Sequence, residues 1–217
     1  MSARDVRIKI CGITTPEDAI AAAEAGADMV GLMFAEASPR YLPPPAAAAV
    51  ARVLPPHVVR VGVFVDPDPA LVWQAITACS LGMLQFHGQE PPEFCRQFGL
   101  LTIKAFRIRD ESSLELLRAY PTDAWLLDAW VPGKPGGTGR TFNWDLARRA
   151  RDWGRPIILA GGLNPDNVGE AIRIVQPFAV DVSSGVELAP GRKCPVRMRA
   201  FVEAVRRAAA EPAPGPS

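Results

Sequence analysis

VRIKICGIT, residues 6–14, alternates β-branched apolar residues with polar ones, the pattern of a strand. It stops on Cys11-Gly12 and runs at once into Thr15-Pro16-Glu17-Asp18, a helix start with proline in the first turn and acids at its positive end. A strand that ends on a thiol and feeds a helix puts that thiol at the strand's carboxyl end, where parallel α/β folds keep their chemistry. Alternation places Arg7, Lys9 and Cys11 on one face and Ile8 and Ile10 on the other. The isoleucines are expected to meet helices, and Lys9 and Cys11 to point into whatever the strands enclose.

The same unit recurs along the chain. Strands are expected over 28–35, 58–65, 83–87, 101–106, 124–128, 156–160 and 179–182. Helices are expected over 16–25, 43–54, 69–79, 91–98, 111–119, 143–152, 165–175 and 195–210. Repeating strand–helix units require parallel strands with right-handed crossovers, and about eight of them favour a closed (β/α)8 barrel over an open doubly wound sheet. Residues 1–210 are read as one α/β barrel domain. Residues 211–217, EPAPGPS, are read as a disordered, proline-rich tail.

Composition narrows the function. The chain has 217 residues, is 48% hydrophobic and carries a net charge of +1, enough for a sizeable core and no footprint for nucleic acid or an anionic membrane. No apolar run approaches the ~20 residues of a membrane span, and the first residues lack the apolar core of a secretory signal. The four cysteines (Cys11, Cys79, Cys95, Cys194) form no C-x-x-C pair; they read as free thiols in a reducing cytoplasm. With only two histidines, a histidine-rich metal site is ruled out. The expected partner is a small molecule rather than a nucleic acid or a membrane.

The strand ends gather the versatile residues. Cys11, Arg40, His87, Asp128, a glycine-rich loop (133–140), Gly161-Gly162, Asp181 and Ser183-Ser184-Gly185 all follow strands. In a barrel, the loops after strands seven and eight recurrently hold a phosphate; Gly161, Gly162, Ser183, Ser184 and Gly185 fit that role, and the bland alternative is that glycines simply end strands. Cys11 is either a small buried apolar residue or a nucleophile or base favoured by Lys9 two positions back. Asp128 either has a job or pairs with Lys104. Lys9 and Lys104 also read as neutralising carboxylates in the barrel mouth. Arg40 is solvated or meets a substrate carboxylate, His87 orders a loop, and Asp181 caps its loop or bonds a substrate hydroxyl. The glycine loop 133–140 has the composition of a mobile lid.

KICGIT at 9–14, GLMFAEASPRY at 31–41, RVGVFV at 60–65, QFHGQE at 85–90, LLDAWVPGKPGGTGRTFNW at 126–144, LAGGLNPDNV at 159–168 and DVSSGVELAPGRK at 181–193 together resemble the phosphoribosylanthranilate isomerase family of tryptophan biosynthesis. The resemblance runs from residue 6 to about residue 207. It implies the (β/α)8 barrel and an Amadori rearrangement of N-(5-phosphoribosyl)anthranilate to 1-(2-carboxyphenylamino)-1-deoxyribulose 5-phosphate, without metal or cofactor. It further implies Cys11 as general base and Asp128 as general acid, with Lys9, Arg40, His87 and Asp181 on the substrate. That division asks Lys9 to bring the Cys11 pKa down, and partial burial to keep Asp128 in its acid form. Two departures stand out. Phe86 replaces an aliphatic residue and should only repack the outer face. Cys194 replaces an acid and should affect only helix capping. The competing readings are a silent barrel that merely binds a phosphorylated metabolite, a dual-substrate isomerase that also serves histidine biosynthesis and uses two aspartates, and a metal-dependent sugar-phosphate epimerase.

Overall fold

The computed structural model describes residues 5–129 and 144–211. Loop 133–140 and the tail after Glu211 lie outside the described residues. Eight strands, β1 (Arg7–Cys11), β2 (Met29–Met33), β3 (Val59–Phe64), β4 (Met83–Phe86), β5 (Leu101–Ile108), β6 (Ala124–Ala129), β7 (Ile157–Leu159) and β8 (Ala179–Val182), form a closed parallel barrel in chain order. β8 closes the ring on β1 with Lys9 opposite Asp181. Helices α1 (Pro16–Ala25), α2 (Pro44–Arg52), α3 (Pro69–Cys79), α4 (Pro92–Arg96), α5 (Ser112–Glu115), α6 (Trp144–Arg151), α7 (Val168–Val175) and α8 (Pro195–Ala210) alternate with them.

Strand parity splits the core in two. Outward residues such as Ile8, Ile10, Leu32, Phe64 and Phe86 pack against the helices. Inward ones such as Met29, Val61, Ile103, Leu126 and Ile158 fill the barrel. The isoleucines of β1 therefore face the helices, as alternation requires. Phe86 also points outward, against the rings of Phe64, Phe94 and Phe98, so its size is absorbed away from the barrel mouth.

Local chemistry sets the helix ends. Thr15 accepts from the Asp18 N–H at 3.1 Å and Gly26 caps the other end of α1 in the left-handed region, the polar start and glycine stop of an isolated helix. α7 begins at Val168 rather than at residue 165. Asn164 Oδ1 accepts from the N–H groups of Asp166 and Asn167, and Asn167 Oδ1 accepts from Asn164 N–H. These side-chain bonds compete with the first helical turn. α4 and α5 are shorter than expected. α4 ends at Arg96 ahead of Gly99 at φ +69°, and α5 tightens into a 3-10 turn over Leu116–Ala119. α8 starts at its expected residue, with Cys194 at its N-cap making no side-chain bond.

One element has no counterpart in the sequence reading. After β8, a 3-10 turn (Ser184–Val186) leads into a two-stranded antiparallel hairpin, β9 (Glu187–Ala189) and β10 (Arg192–Lys193). Asp18 of α1 accepts the Lys193 N–H at 3.1 Å and Thr14 donates to the Gly191 carbonyl. The hairpin thereby ties the last strand–helix connection to the first.

Candidate active site

A cavity of about 260 Å³ opens at the carboxyl end of the barrel. Its walls include Cys11 from β1, Arg40 from the loop after β2, His87 after β4, Asp128 on β6, Gly161-Gly162 after β7, and Asp181, Ser183 and Ser184 on and after β8. Residues scattered over most of the sequence meet there because each follows or ends a parallel strand. Gly161 and Gly162 both have positive φ, at 85° and 70°, a conformation glycine adopts at no steric cost.

The floor is an ion pair. Lys9 is fully buried and donates to Asp181 Oδ1 at 3.0 Å across the β1–β8 seam. Burial works against its charge, but Asp181 and the Cys11 sulfur more than offset this and hold its pKa above the ordinary lysine value. Lys9 does not line the cavity; its ammonium is held by Asp181 and lies beside the Cys11 thiol. Cys11 departs from expectation too. Burial pushes its thiol up with help from the Asp181 charge, and Lys9 and Lys193 together pull it down by less. The sequence shows the cation beside the sulfur but not the desolvation of both.

Arg40 neither floats in solvent nor waits alone. Its Nε and Nη2 form a fork with Glu187 at 2.8 and 2.6 Å, and its chain runs over Gly12, where a Cβ would lie 2.3 Å from Arg40 Cδ. Glu187 also accepts from the buried Lys193 ammonium at 2.7 Å, and that ammonium reaches the Ser183 carbonyl at 3.2 Å. Burial opposes the Glu187 charge, but Arg40 and Lys193 win and hold its carboxyl below the usual range. Burial lowers Lys193. The hairpin thus supplies a charged strut running from the Arg40 loop to the β8 loop.

Lys104 does not partner Asp128. Even-numbered residues of β5 face the helices, so Lys104 points outward, near the Phe106 and Tyr120 rings, and donates to Glu90 Oε2 at 3.1 Å and to the Gly88 carbonyl at 2.7 Å. It is absent from the barrel mouth. Asp128 instead faces His87, with Nε2 to Oδ2 at 3.4 Å. Gly185 also stands outside the cavity. Its α-carbon is pressed on β7's following loop, where a Cβ would lie 2.0 Å from the Leu163 carbonyl oxygen.

The profile of the family described as N-(5'-phosphoribosyl)anthranilate (PRA) isomerase matches residues 8–204. A relative of that name from Geobacter sulfurreducens is 54% identical over 197 residues, covering 91% of this chain and 97% of its own. The chain belongs to the phosphoribosylanthranilate isomerase family. The crystal structure of the Thermotoga maritima isomerase superposes with a TM-score of 0.87 at 42% identity, covering 94% of this chain and all of that one. A phosphoribosylanthranilate isomerase in complex with reduced 1-(o-carboxyphenylamino)-1-deoxyribulose 5-phosphate superposes at 0.83 with 41% identity, covering 94% and 100%.

Four residues of this isomerase's site escaped the sequence reading. Glu187 and Lys193 sit in a charged stretch, VELAPGRK, with no apolar alternation to flag a hairpin. Gln85 and Arg107 both line the cavity. Gln85 was signalled only by its place two residues before His87, and Arg107, opposite Asp128 in the β5–β6 register, carried no signal in the sequence. Among the described residues no group of three or more histidines, cysteines or acids has metal-site geometry, and no helix is long and apolar enough to cross a membrane.

Proposed function

We propose that this chain catalyses the Amadori rearrangement of N-(5-phosphoribosyl)anthranilate to 1-(2-carboxyphenylamino)-1-deoxyribulose 5-phosphate, with Asp128 as proton donor and Cys11 as proton acceptor. The observation that carries the assignment is the order of groups round the barrel mouth. Cys11 on β1 and Asp128 on β6 are separated by β7 and β8, whose loops offer Gly161, Gly162, Ser183 and Ser184 to a phosphate. A substrate anchored by its phosphate between the two groups has its ribose within reach of both.

Asp128 gives a proton to the ring oxygen as the C1–O bond breaks, and the nitrogen lone pair makes the protonated Schiff base. Cys11, as thiolate, takes the C2 proton; the C–H pair becomes the C1=C2 bond and the iminium charge is discharged. The enolamine then gains a proton at C1 and loses one from its 2-hydroxyl to give the aminoketose. The Schiff base is a cation, and its arrival beside a buried thiol favours the thiolate that burial alone suppresses. Arg40, held by Glu187, meets the anthranilate carboxylate, and Asp181 meets the ribose hydroxyls. This acid–base scheme calls on no metal or organic cofactor.

The closed ring of eight strands and α8, which ends at Ala210, support one barrel domain over 1–210, and a related isomerase from Thermotoga maritima, dimeric and also obtained as monomers, supports a monomer or a homodimer. Four free thiols, three of them buried, suit a reducing cytoplasm. The test is turnover of N-(5-phosphoribosyl)anthranilate, followed by loss of its fluorescence in the presence of a chelator. Cys11→Ser and Asp128→Asn are each expected to lower kcat by at least ~10²-fold, the low end for a general acid or base. Near-normal turnover in either variant removes that residue's role.

A further inference from the structure

Behind Asp128 stands a buried chain of side chains that the acid–base scheme does not use. Gln85 and His87 are two apart on and just after β4, so both face the barrel interior while Phe86 faces out. Gln85 is 1% exposed. Its Nε2 lies 3.2 Å from His87 Nδ1, and His87 Nε2 lies 3.4 Å from Asp128 Oδ2. Among the described residues three buried side-chain polar atoms have no hydrogen-bond partner, and two of them, Gln85 Oε1 and His87 Nε2, belong to this row. Buried groups are rarely left so, and their alignment on the proton donor calls for a reason.

The amide nitrogen can only donate, so Nδ1 must present a lone pair and the ring proton must sit on Nε2. Turned end for end, the amide oxygen would accept from Nδ1–H and leave a bare Nε2 lone pair, which faces an acceptor oxygen as soon as Asp128 has given up its proton, two acceptors in contact at the moment the carboxylate most needs a donor. The backbone around the ring is fixed independently: Glu90 accepts from Gly88 N–H, and Lys104 donates to the Gly88 carbonyl. What stays adjustable is the tautomer.

We propose that Gln85 is a positioning residue for the proton donor: it holds His87 as the Nε2–H tautomer, so that a ring N–H faces Asp128 and stabilises the carboxylate left when Asp128 gives up its proton. The 3.4 Å gap is longer than an ordinary hydrogen bond; it shortens as negative charge develops, the behaviour of catalytic contacts that tighten only in the reacting complex. His87 acts here without changing its own charge. The inference rests on Asp128 being the donor, as proposed above.

The chain has only two histidines, and His57 lies exposed in the loop before β3, so a protein labelled with 15N-histidine gives one site spectrum and one internal reference. His87 in the wild type is expected to show a single Nε2–H tautomer with Nδ1 shifted as a hydrogen-bond acceptor, while His57 shows the mixture of free imidazole. Gln85→Glu replaces the donor with an acceptor and is expected to put a proton on Nδ1. Gln85→Leu is expected to abolish the acceptor shift at Nδ1. Both variants should lower kcat about ten- to a hundredfold, the worth of one hydrogen bond to a developing charge, with KM changed less than about threefold. A wild-type His87 spectrum matching that of His57, or one unchanged in Gln85→Leu, overturns the proposal; the wild-type spectrum decides even if the variants do not fold. Normal turnover in Asp128→Asn would sink the donor assignment and leave the tautomer result standing, so the two failures are distinguishable.

Discussion

Adding one methyl group at Gly31 should displace the Cys11 sulfur most, with a smaller push on Cys11 Cα and Cβ, which the new atom would meet at 3.1 and 3.2 Å. Gly31 lies opposite Cys11 in the β1–β2 register, and its carbonyl accepts from both Gly12 and Ile13 N–H. A Cβ built there would lie 2.7 Å from Cys11 Sγ, whereas non-bonded heavy atoms rest at about 3.5–4.0 Å. The sulfur must therefore retreat by at least about 0.8 Å. A turn of roughly 30° about χ1 moves it by roughly 0.9 Å and costs about 0.5–1.5 kcal/mol, which the fold absorbs. Proton transfer does not absorb it, because a misplacement near 1 Å costs about 10²-fold in rate. The assay is fluorescence-monitored turnover of N-(5-phosphoribosyl)anthranilate beside urea unfolding. Gly62→Ala is the control: its Cβ would press on Leu81 and Phe64 at 2.5 and 2.8 Å on the outer face, lowering stability by about 1–3 kcal/mol while leaving kcat alone. Gly31→Ala within about threefold of wild-type turnover, or equal kcat losses in both variants, would refute the reasoning.

Because burial holds the free enzyme's Cys11 thiol above the ordinary value of 9.0, kcat/KM, which reports the free enzyme, should keep rising past pH 9; a plateau near neutrality would exclude Cys11 as the base. Burial pushes Cys79 up to about 11 and Cys95 up to about 12. Above pH 9 the unfolded chain loses these protons and the folded chain keeps them, so stability falls by about 1.4 kcal/mol per pH unit per thiol; Cys95→Ala should flatten the slope of urea stability against pH between 9 and 10.5 by that amount. Gly185→Ala drives its Cβ into the Leu163 carbonyl and should cost about 1–3 kcal/mol in urea unfolding while weakening inhibition by inorganic phosphate, since loop 161–164 must move. Glu187→Gln strips Arg40 and the buried Lys193 of their shared carboxylate and should destabilise by about 3–5 kcal/mol with a raised KM; unchanged stability would show that the pair is replaceable.

The barrel was legible because its signal is local. The alternation in VRIKIC and the β-branched run of β3 declare strands, and strand-end glycines and prolines mark the boundaries. β8 and α8 fall on their expected residues for that reason. Relations between strands were not legible. The carboxylate beside Lys104 is Glu90 rather than Asp128, because the facing of β5 and the return of the β4 loop decide it, and neither is written in the neighbourhood of Lys104. The direction of the Cys11 shift likewise depends on how much water the closed ring excludes, and not on the identity of the cation next to it. Asn164 and Asn167 carried a readable warning against an early α7 start, since asparagines three apart are prone to bond each other's backbone. Glu187 and Lys193 carried none, because a charged hairpin looks like a solvated loop until its partners are in place.

The bond from Lys9 to Asp181 spans 172 positions, that from Lys193 N–H to Asp18 spans 175, and the Arg40–Glu187 fork spans 147. Contacts so distant along the chain are slow to form, because loop closure must precede any reward. On the ribosome, Cys11 on β1 emerges long before Asp181, Glu187 and Lys193, which complete its floor and strut. Secondary structure can gather while the first strand is still waiting for the last. Recovery of turnover after refolding therefore times the moment the ring locks, and activity is a more faithful stopwatch for this barrel's final folding step than any spectroscopic measure of helix content.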